Sequence, residues 1–239
     1  MKINRLFKGN FDLKIKVLMV MGILLLFSGI VVGLFFSPAD YQQGEYVRIM
    51  YIHVPSAWMS LGIYTSMGIF SFIFLIWRIQ IMDVIAKKSA VVGVFFTLVT
   101  LVTGSIWGKP IWGTWWVWDA RLTSMLILLF FYIGYILVIN SESEFDLTNT
   151  TSAVLCVVGL INIPIVKFSV EYWTSLHQKA SVIRFGGPTI HIDMLKPLFL
   201  VFFGSAIISI CVVSLRVKTY LLIKKNLRSK LVLDKNELV

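Results

Sequence analysis

Six stretches of this chain are long and apolar enough to cross a bilayer, and no other feature limits its fold so tightly. Hydrocarbon offers backbone N–H and C=O groups no partner, so a crossing segment must satisfy them within itself, and a helix needs about 20 residues to do so. Segments at about 17–36, 55–77, 89–107, 122–139, 150–168 and 197–216 meet that length. The expected fold is therefore an all-α integral membrane protein with six transmembrane helices. It forms a single membrane domain over 1–239, with basic tails at 1–16 and 217–239. Composition agrees: 58% of residues are hydrophobic, 14% are charged, and mean hydropathy is +0.85.

The placement of charge orients the helices. With the N-terminus inside, 15 of the 22 Lys and Arg fall on the cytoplasmic side, in the N-terminal tail (Lys2, Arg5, Lys8, Lys14, Lys16), near Arg78, Lys87 and Lys88, and in the C-terminal tail. Seven fall outside: Arg48, Lys109, Arg121, Lys167, Lys179, Arg184 and Lys196. That asymmetry predicts both termini in the cytoplasm. The formal charge of +10 does not imply a nucleic-acid partner, because the cations gather at the edges of apolar runs rather than on one soluble face. The loop at 140–149 is placed inside and carries Glu142, Glu144 and Asp146, and acidic residues weigh little in this rule.

Smaller features refine the picture. The basic N-terminus followed by an apolar run resembles a signal peptide, but the run is long enough to span and lacks a small-residue cleavage site, so a retained first span is expected. Cys156 and Cys211 lie inside apolar runs with neither metal-site nor redox spacing, and read as packing residues. Thr97, Thr100 and Thr103 form a mildly polar stripe suited to a helix–helix contact. Asn162 with Pro164 predicts a kink in the fifth span.

The chemistry concentrates outside, between spans three and four, in "WGKPIWGTWWVWDARLTS" at 107–124. Tryptophan settles readily at a membrane interface, but Trp107, Trp112, Trp115, Trp116 and Trp118 together exceed what anchoring requires. If the segment is helical, Trp112, Trp115, Trp116 and Asp119 share a face and form a flat apolar shelf suited to a large planar ligand. The three histidines also fall outside: His53 in the first outer loop, held by Pro55 at the start of span two, and His177 and His191 in the third. Two imidazoles flanking such a shelf could ligate haem iron axially, with Arg48, Arg121 and Arg184 available for its propionates. A zinc or copper site would use the histidines but leave the aromatic shelf without a purpose, and no spacing ties an outer Ser, His and acid into a hydrolytic triad.

The stretch "WGTWWVWDARLT" at 112–123, flanked by "VRIMYIHVPSAWM" at 47–59 and "VEYWTSLHQ" at 170–178, resembles the tryptophan-rich WWD family of haem-handling proteins in cytochrome c assembly, specifically its short six-span CcmC-like branch. The resemblance covers about residues 15–215. It implies a haem chaperone, not an enzyme, that holds haem b as transient cargo at the outer face of a cell inner membrane. It would present that haem to the chaperone CcmE beside the ATP-binding-cassette subunits CcmA and CcmB and the small membrane protein CcmD. A bacterial inner membrane is implied over a mitochondrial one. Carried over by position, the axial ligands are His53 and His177, and the haem platform is Trp112, Trp115, Trp116, Trp118 and Asp119 with Arg121 beside it. His191 matches no motif. Two alternatives stay open: a haem transporter, disfavoured by the scarcity of ionisable residues within the spans, and a b-type electron-transfer subunit, which would place its ligands between helices rather than at loop–helix borders.

Overall fold

The computed structural model describes residues 10–141, 150–179, 181–184 and 186–237, and among these the regular structure is helical apart from one isolated bridge between Asp40 and Gly44. Lys2, Arg5 and Lys8 of the N-terminal tail, and the acidic stretch at 142–149, lie outside the described residues. The helices are α1 (Phe11–Val31, prolonged by a π turn at Val32–Phe36), α2 (Met50–Trp77, preceded by a 3-10 turn at Glu45–Ile49) and α3 (Gln80–Trp112). They continue with α4 (Ala120–Ser141), α5 (Thr151–Gly159), α6 (Asn162–Tyr172) and α7 (Ile192–Glu237). With α5 and α6 taken as one interrupted span, six helical segments among the described residues are long and apolar enough to cross a membrane. Large side chains such as Leu24, Phe27, Phe130 and Ile210 are exposed on their flanks, as they must be where the surrounding solvent is hydrocarbon.

Close packing depends on small residues facing large ones. A Cβ on Gly93 of α3 would lie 2.2 Å from the Tyr132 ring of α4, and one on Gly159 would lie 1.9 Å from the Tyr64 hydroxyl of α2. These notches let Tyr64, Met67, Leu128, Tyr132 and Cys156 form the buried centre. The first and last spans pair in the same way, a Cβ on Gly204 of α7 falling 2.5 Å from the Leu26 backbone of α1. Cys156 and Cys211 are buried free thiols, in keeping with packing roles.

The threonine stripe is indeed a helix–helix contact. Thr97 and Ser60 share a 2.6 Å hydrogen bond between α3 and α2, and Tyr132 donates to the Ser60 carbonyl at 2.8 Å. The expected kink is a full interruption. Pro164 cannot bond the Leu160 carbonyl, so Ile163 N–H takes it at 3.0 Å in a tightened turn, while the Asn162 side chain donates to the Ser124 carbonyl at 2.9 Å. One boundary moves in a way that matters for the site. The second helix starts at Met50, so Pro55 lies in its second turn and His53 is a helical residue, not a loop one. Proline's φ suits a helix, and only the bond to Tyr51 is lost.

Candidate functional site

The Trp-rich segment is not one helix, and the single-faced shelf expected from its spacing does not form. Trp107 and Trp112 belong to the last turns of α3, which ends where Gly113 turns left-handed (φ 77°) and its N–H caps the Lys109 carbonyl at 3.0 Å. Residues 114–119 then run irregularly back over the helix end, fastened by Ser105 donating to the Trp115 carbonyl at 2.7 Å and Thr114 to the Trp116 carbonyl at 3.1 Å. The tryptophans separate accordingly. Trp112 is half-buried inside the site, Trp115 and Trp118 are 56% and 76% exposed, and Trp116 packs edge-on to Trp118 with its indole N–H buried and without an acceptor among the described residues.

Asp119 terminates this stretch and is only 8% exposed. Its Oδ1 accepts the Leu122 N–H at 2.8 Å, which caps α4, and its Oδ2 accepts from Ser175 Oγ at 2.5 Å and His177 Nδ1 at 2.9 Å. Ser175 Oγ in turn accepts the His177 N–H at 3.1 Å, so the loop after α6 is tied to the start of α4 through one carboxylate. The His177 ring meets Trp112 edge to face, with centroids 4.6 Å apart. Asp119 is therefore a holder of His177 more than a wall of an aromatic platform. Burial pushes the Asp119 carboxyl up, but the hydrogen bonds from Ser175, Leu122 and His177 outweigh it and hold the group below the usual carboxylate range. Burial lowers the His177 imidazole below its usual value, opposed only in part by Asp119. The pair is thus a neutral imidazole donating its Nδ1 proton to a charged carboxylate.

His53 is held by α3. Its Nδ1 lies 3.1 Å from Thr103 Oγ1, its ring meets Trp107 edge to face at 5.6 Å, and it rests over Gly104, where a Cβ would come within 2.9 Å of its Cε1. Trp107 is itself fixed by donating to Gln43 Oε1 at 2.9 Å, and Gln43 reaches Gln178, the neighbour of His177, at 3.5 Å. His53 lies near enough to His177 to feel its charge, and Arg121 acts on both rings. The two histidines chosen from sequence thus converge on the end of α3. Nε2 of either ring makes no hydrogen bond among the described residues.

The remaining candidates lie apart or are otherwise occupied. Arg121 donates to Ser169 and to the Lys167 carbonyl, each at 3.4 Å, and stays beside the imidazoles. Arg48 pairs with Glu45 and donates to the Leu34 carbonyl at 2.7 Å, where it satisfies the end of the first helix. Arg184 and His191 are exposed, and His191 accepts the Asp193 N–H at 3.3 Å at the start of α7. Among the described residues no group of three His, Cys, Asp or Glu side chains is placed to share a metal ion. Thr103, Gly104, Ser175 and Gln43 complete the site and were not singled out as site residues from sequence. The spacing Gly104-x-x-x-Gly108 is the one signal that could have marked the helix end as a seat for rings.

Comparison with known proteins identifies the family. Residues 4–232 match the family described as heme exporter protein C, CcmC. The chain is 48% identical over 182 residues to the heme exporter protein C of Haemophilus influenzae, covering 76% of this chain and 74% of that one. It is 40% identical over 211 residues to that of Escherichia coli K12, covering 88% and 85%. It is also 51% identical over 173 residues to a putative cytochrome c biosynthesis ccmC-like mitochondrial protein of Marchantia polymorpha, covering 72% and 73%. The match spans the six helices and both imidazole-bearing segments, and the chain belongs to the heme exporter protein C family of non-enzymatic, multi-pass membrane proteins.

Proposed function

We propose that this protein is a haem chaperone of cytochrome c biogenesis that holds haem b, its cargo, between His53 and His177 and presents it to CcmE. The observation that carries the reading is the pair of half-buried imidazoles converging on the end of α3, each with Nδ1 engaged and with Nε2 making no hydrogen bond among the described residues. Neutral imidazole is a common axial ligand of haem iron, and a ring whose Nδ1–H is already hydrogen-bonded is oriented to offer Nε2. Trp112 lies against one imidazole and Trp107 against the other, while Trp115, Trp116 and Trp118 supply aromatic surface at the mouth. Arg121 brings positive charge for a propionate.

The Lys and Arg distribution supports placing this end of the bundle outside the cytoplasmic membrane, with both termini inside. A bacterial inner membrane is our reading of the location, although a mitochondrial protein stands among the relatives. CcmA, CcmB and CcmD are the expected neighbours by family resemblance. With both axial positions filled, only the porphyrin edge is open to a partner, which suits handover to a chaperone that bonds at that edge.

The test is an absorption spectrum of the purified, haem-loaded protein. A six-coordinate signal is expected, lost in His53→Ala or His177→Ala, restored by added imidazole and unchanged in His191→Ala. If His191→Ala abolishes the signal while His177→Ala spares it, the ligand assignment is wrong.

A further inference from the structure

We infer that the two imidazoles are unequal as iron ligands: His177, backed by a carboxylate, is the one that retains the cargo, and His53, backed by a neutral hydroxyl, is the one that lets go when haem is passed on. The inference rests on the haem-binding reading above and adds to it an order of release.

The inequality follows from where each Nδ1 proton points. Thr103 has a single hydroxyl proton, and its Oγ lies 2.6 Å from the Val99 carbonyl four residues back, so that proton is already donated. What the hydroxyl offers His53 Nδ1 at 3.1 Å is a lone pair. His53 therefore carries its proton on Nδ1 and donates it to the Thr103 oxygen. His177 makes the equivalent bond at 2.9 Å to Asp119 Oδ2. Both rings thus offer Nε2, but to different degrees. A carboxylate acceptor draws on the Nδ1 proton and raises the electron density at the opposite nitrogen, and a hydroxyl or amide carbonyl does so less. Two ligands of the same element and ring are thereby made unequal by the groups behind them.

Release through His53 balances without further chemistry. The dative bond from His53 Nε2 to iron breaks and its electron pair stays on the nitrogen, with no proton or electron exchanged. His177 remains bound during that step, so the cargo keeps one anchor while its other face opens. Thr103 and Asp119 are positioning residues here, since each acts through an imidazole.

Two measurements decide the matter. In the haem-free protein, ¹⁵N shifts of the imidazoles should show the Nδ1–H form for both rings. Thr103→Val should abolish the preference at His53 alone, and Thr103→Ser should preserve it. In the haem-loaded full chain, transfer of haem to excess apomyoglobin should be on the order of tenfold faster from His177→Ala than from His53→Ala. Asp119→Asn keeps one acceptor oxygen, enough for the Leu122 cap, but turns an amide NH2 toward His177 and so removes the charged acceptor behind that ring. It should speed transfer from the His53→Ala background and leave His177→Ala unchanged, whereas Thr103→Val should do the converse. Equal transfer rates from the two single variants, or an Asp119→Asn effect of the same size in both backgrounds, overturns the inference while leaving bis-imidazole binding intact. A wild-type spectrum that does not depend on His53 and His177 overturns the haem-binding reading itself.

Discussion

His53 and His177 reach the same place from opposite kinds of scaffold. His53 stands on α2, and its ring is seated by a second helix through Thr103, Gly104 and Trp107. His177 stands on a loop that would have no fixed course without Asp119, whose carboxylate gathers Ser175, His177 and the start of α4. On the helical side, position is set by packing two long elements side by side, and polar contacts only trim it. On the loop side, one charged group sets position, ring orientation and helix cap together. The helical side should therefore tolerate loss of a single polar group, and the loop side should not.

The largest effect should come from breaking the loop side at its centre. Asp119→Ala removes a cap worth about 1 kcal/mol and the partner of His177 together. Haem affinity should fall on the order of 10-fold to 100-fold, the usual consequence of losing a group behind a metal-ligating histidine. Thr103→Ala, its counterpart on the helical side, should lose less than about tenfold by the same reasoning. Haem titration and thermal melts of the two variants in one detergent test the contrast, and equal losses would erase it.

A second experiment attacks the helical side through packing alone. A methyl group on Gly104 would sit 2.9 Å from His53 Cε1, so the ring must move, while alanine favours the helix by up to about 1 kcal/mol. Gly104→Ala should thus leave the melting temperature unchanged or raised while haem affinity drops several-fold. Unaltered affinity would show that the helical side is not seated as described.

The tryptophans sharpen the comparison at a smaller scale. Trp112 lies against His177, whereas Trp118 is largely exposed. Removing Trp112 should weaken haem binding by on the order of 1 kcal/mol beyond its lost area. Removing Trp118 should leave the spectrum alone and reduce transfer to CcmE, as expected of a residue at the mouth. Matched losses of binding in the two variants would restore the continuous shelf.

The smallest effect is on pH. In the haem-free protein His177 should titrate below the ordinary histidine value of about 6.5. Because its folded pKa lies below its unfolded one, the unfolded chain takes up the proton first as pH falls. His177 therefore adds to acid destabilisation from about 6.5 downward. Asp119, also depressed, stabilises the fold above the unfolded carboxylate value of about 3.9, and that contribution is lost as pH falls through its folded pKa. A histidine titration followed by NMR, with His177 titrating at or above the ordinary value, would contradict the burial described for the loop side.

Hydropathy over the apolar runs carried the six helices, and the type of each residue in the Trp-rich motif carried the candidate site. The differences from expectation are local. Pro55 reads as a helix start and puts His53 in a loop, yet the apolar run "YVRIMYIHV" continues the helix upstream at the loss of one backbone bond. Trp112, Trp115, Trp116 and Asp119 are spaced as if on one helix face, but Gly113 between them turns left-handed and ends the helix.

By itself the sequence determined that this chain spans a membrane, how many times, and which residue types are gathered at one end. Those properties depend on transfer of short segments into hydrocarbon and on chemistry local to a motif. Only the tertiary structure decided that His53 answers to Thr103, 50 residues away, and His177 to Asp119, 58 residues away. The physical reason is that hydrogen-bond direction depends on which helix ends meet. That in turn is set by small residues packing against large ones, along whole spans, far from the site.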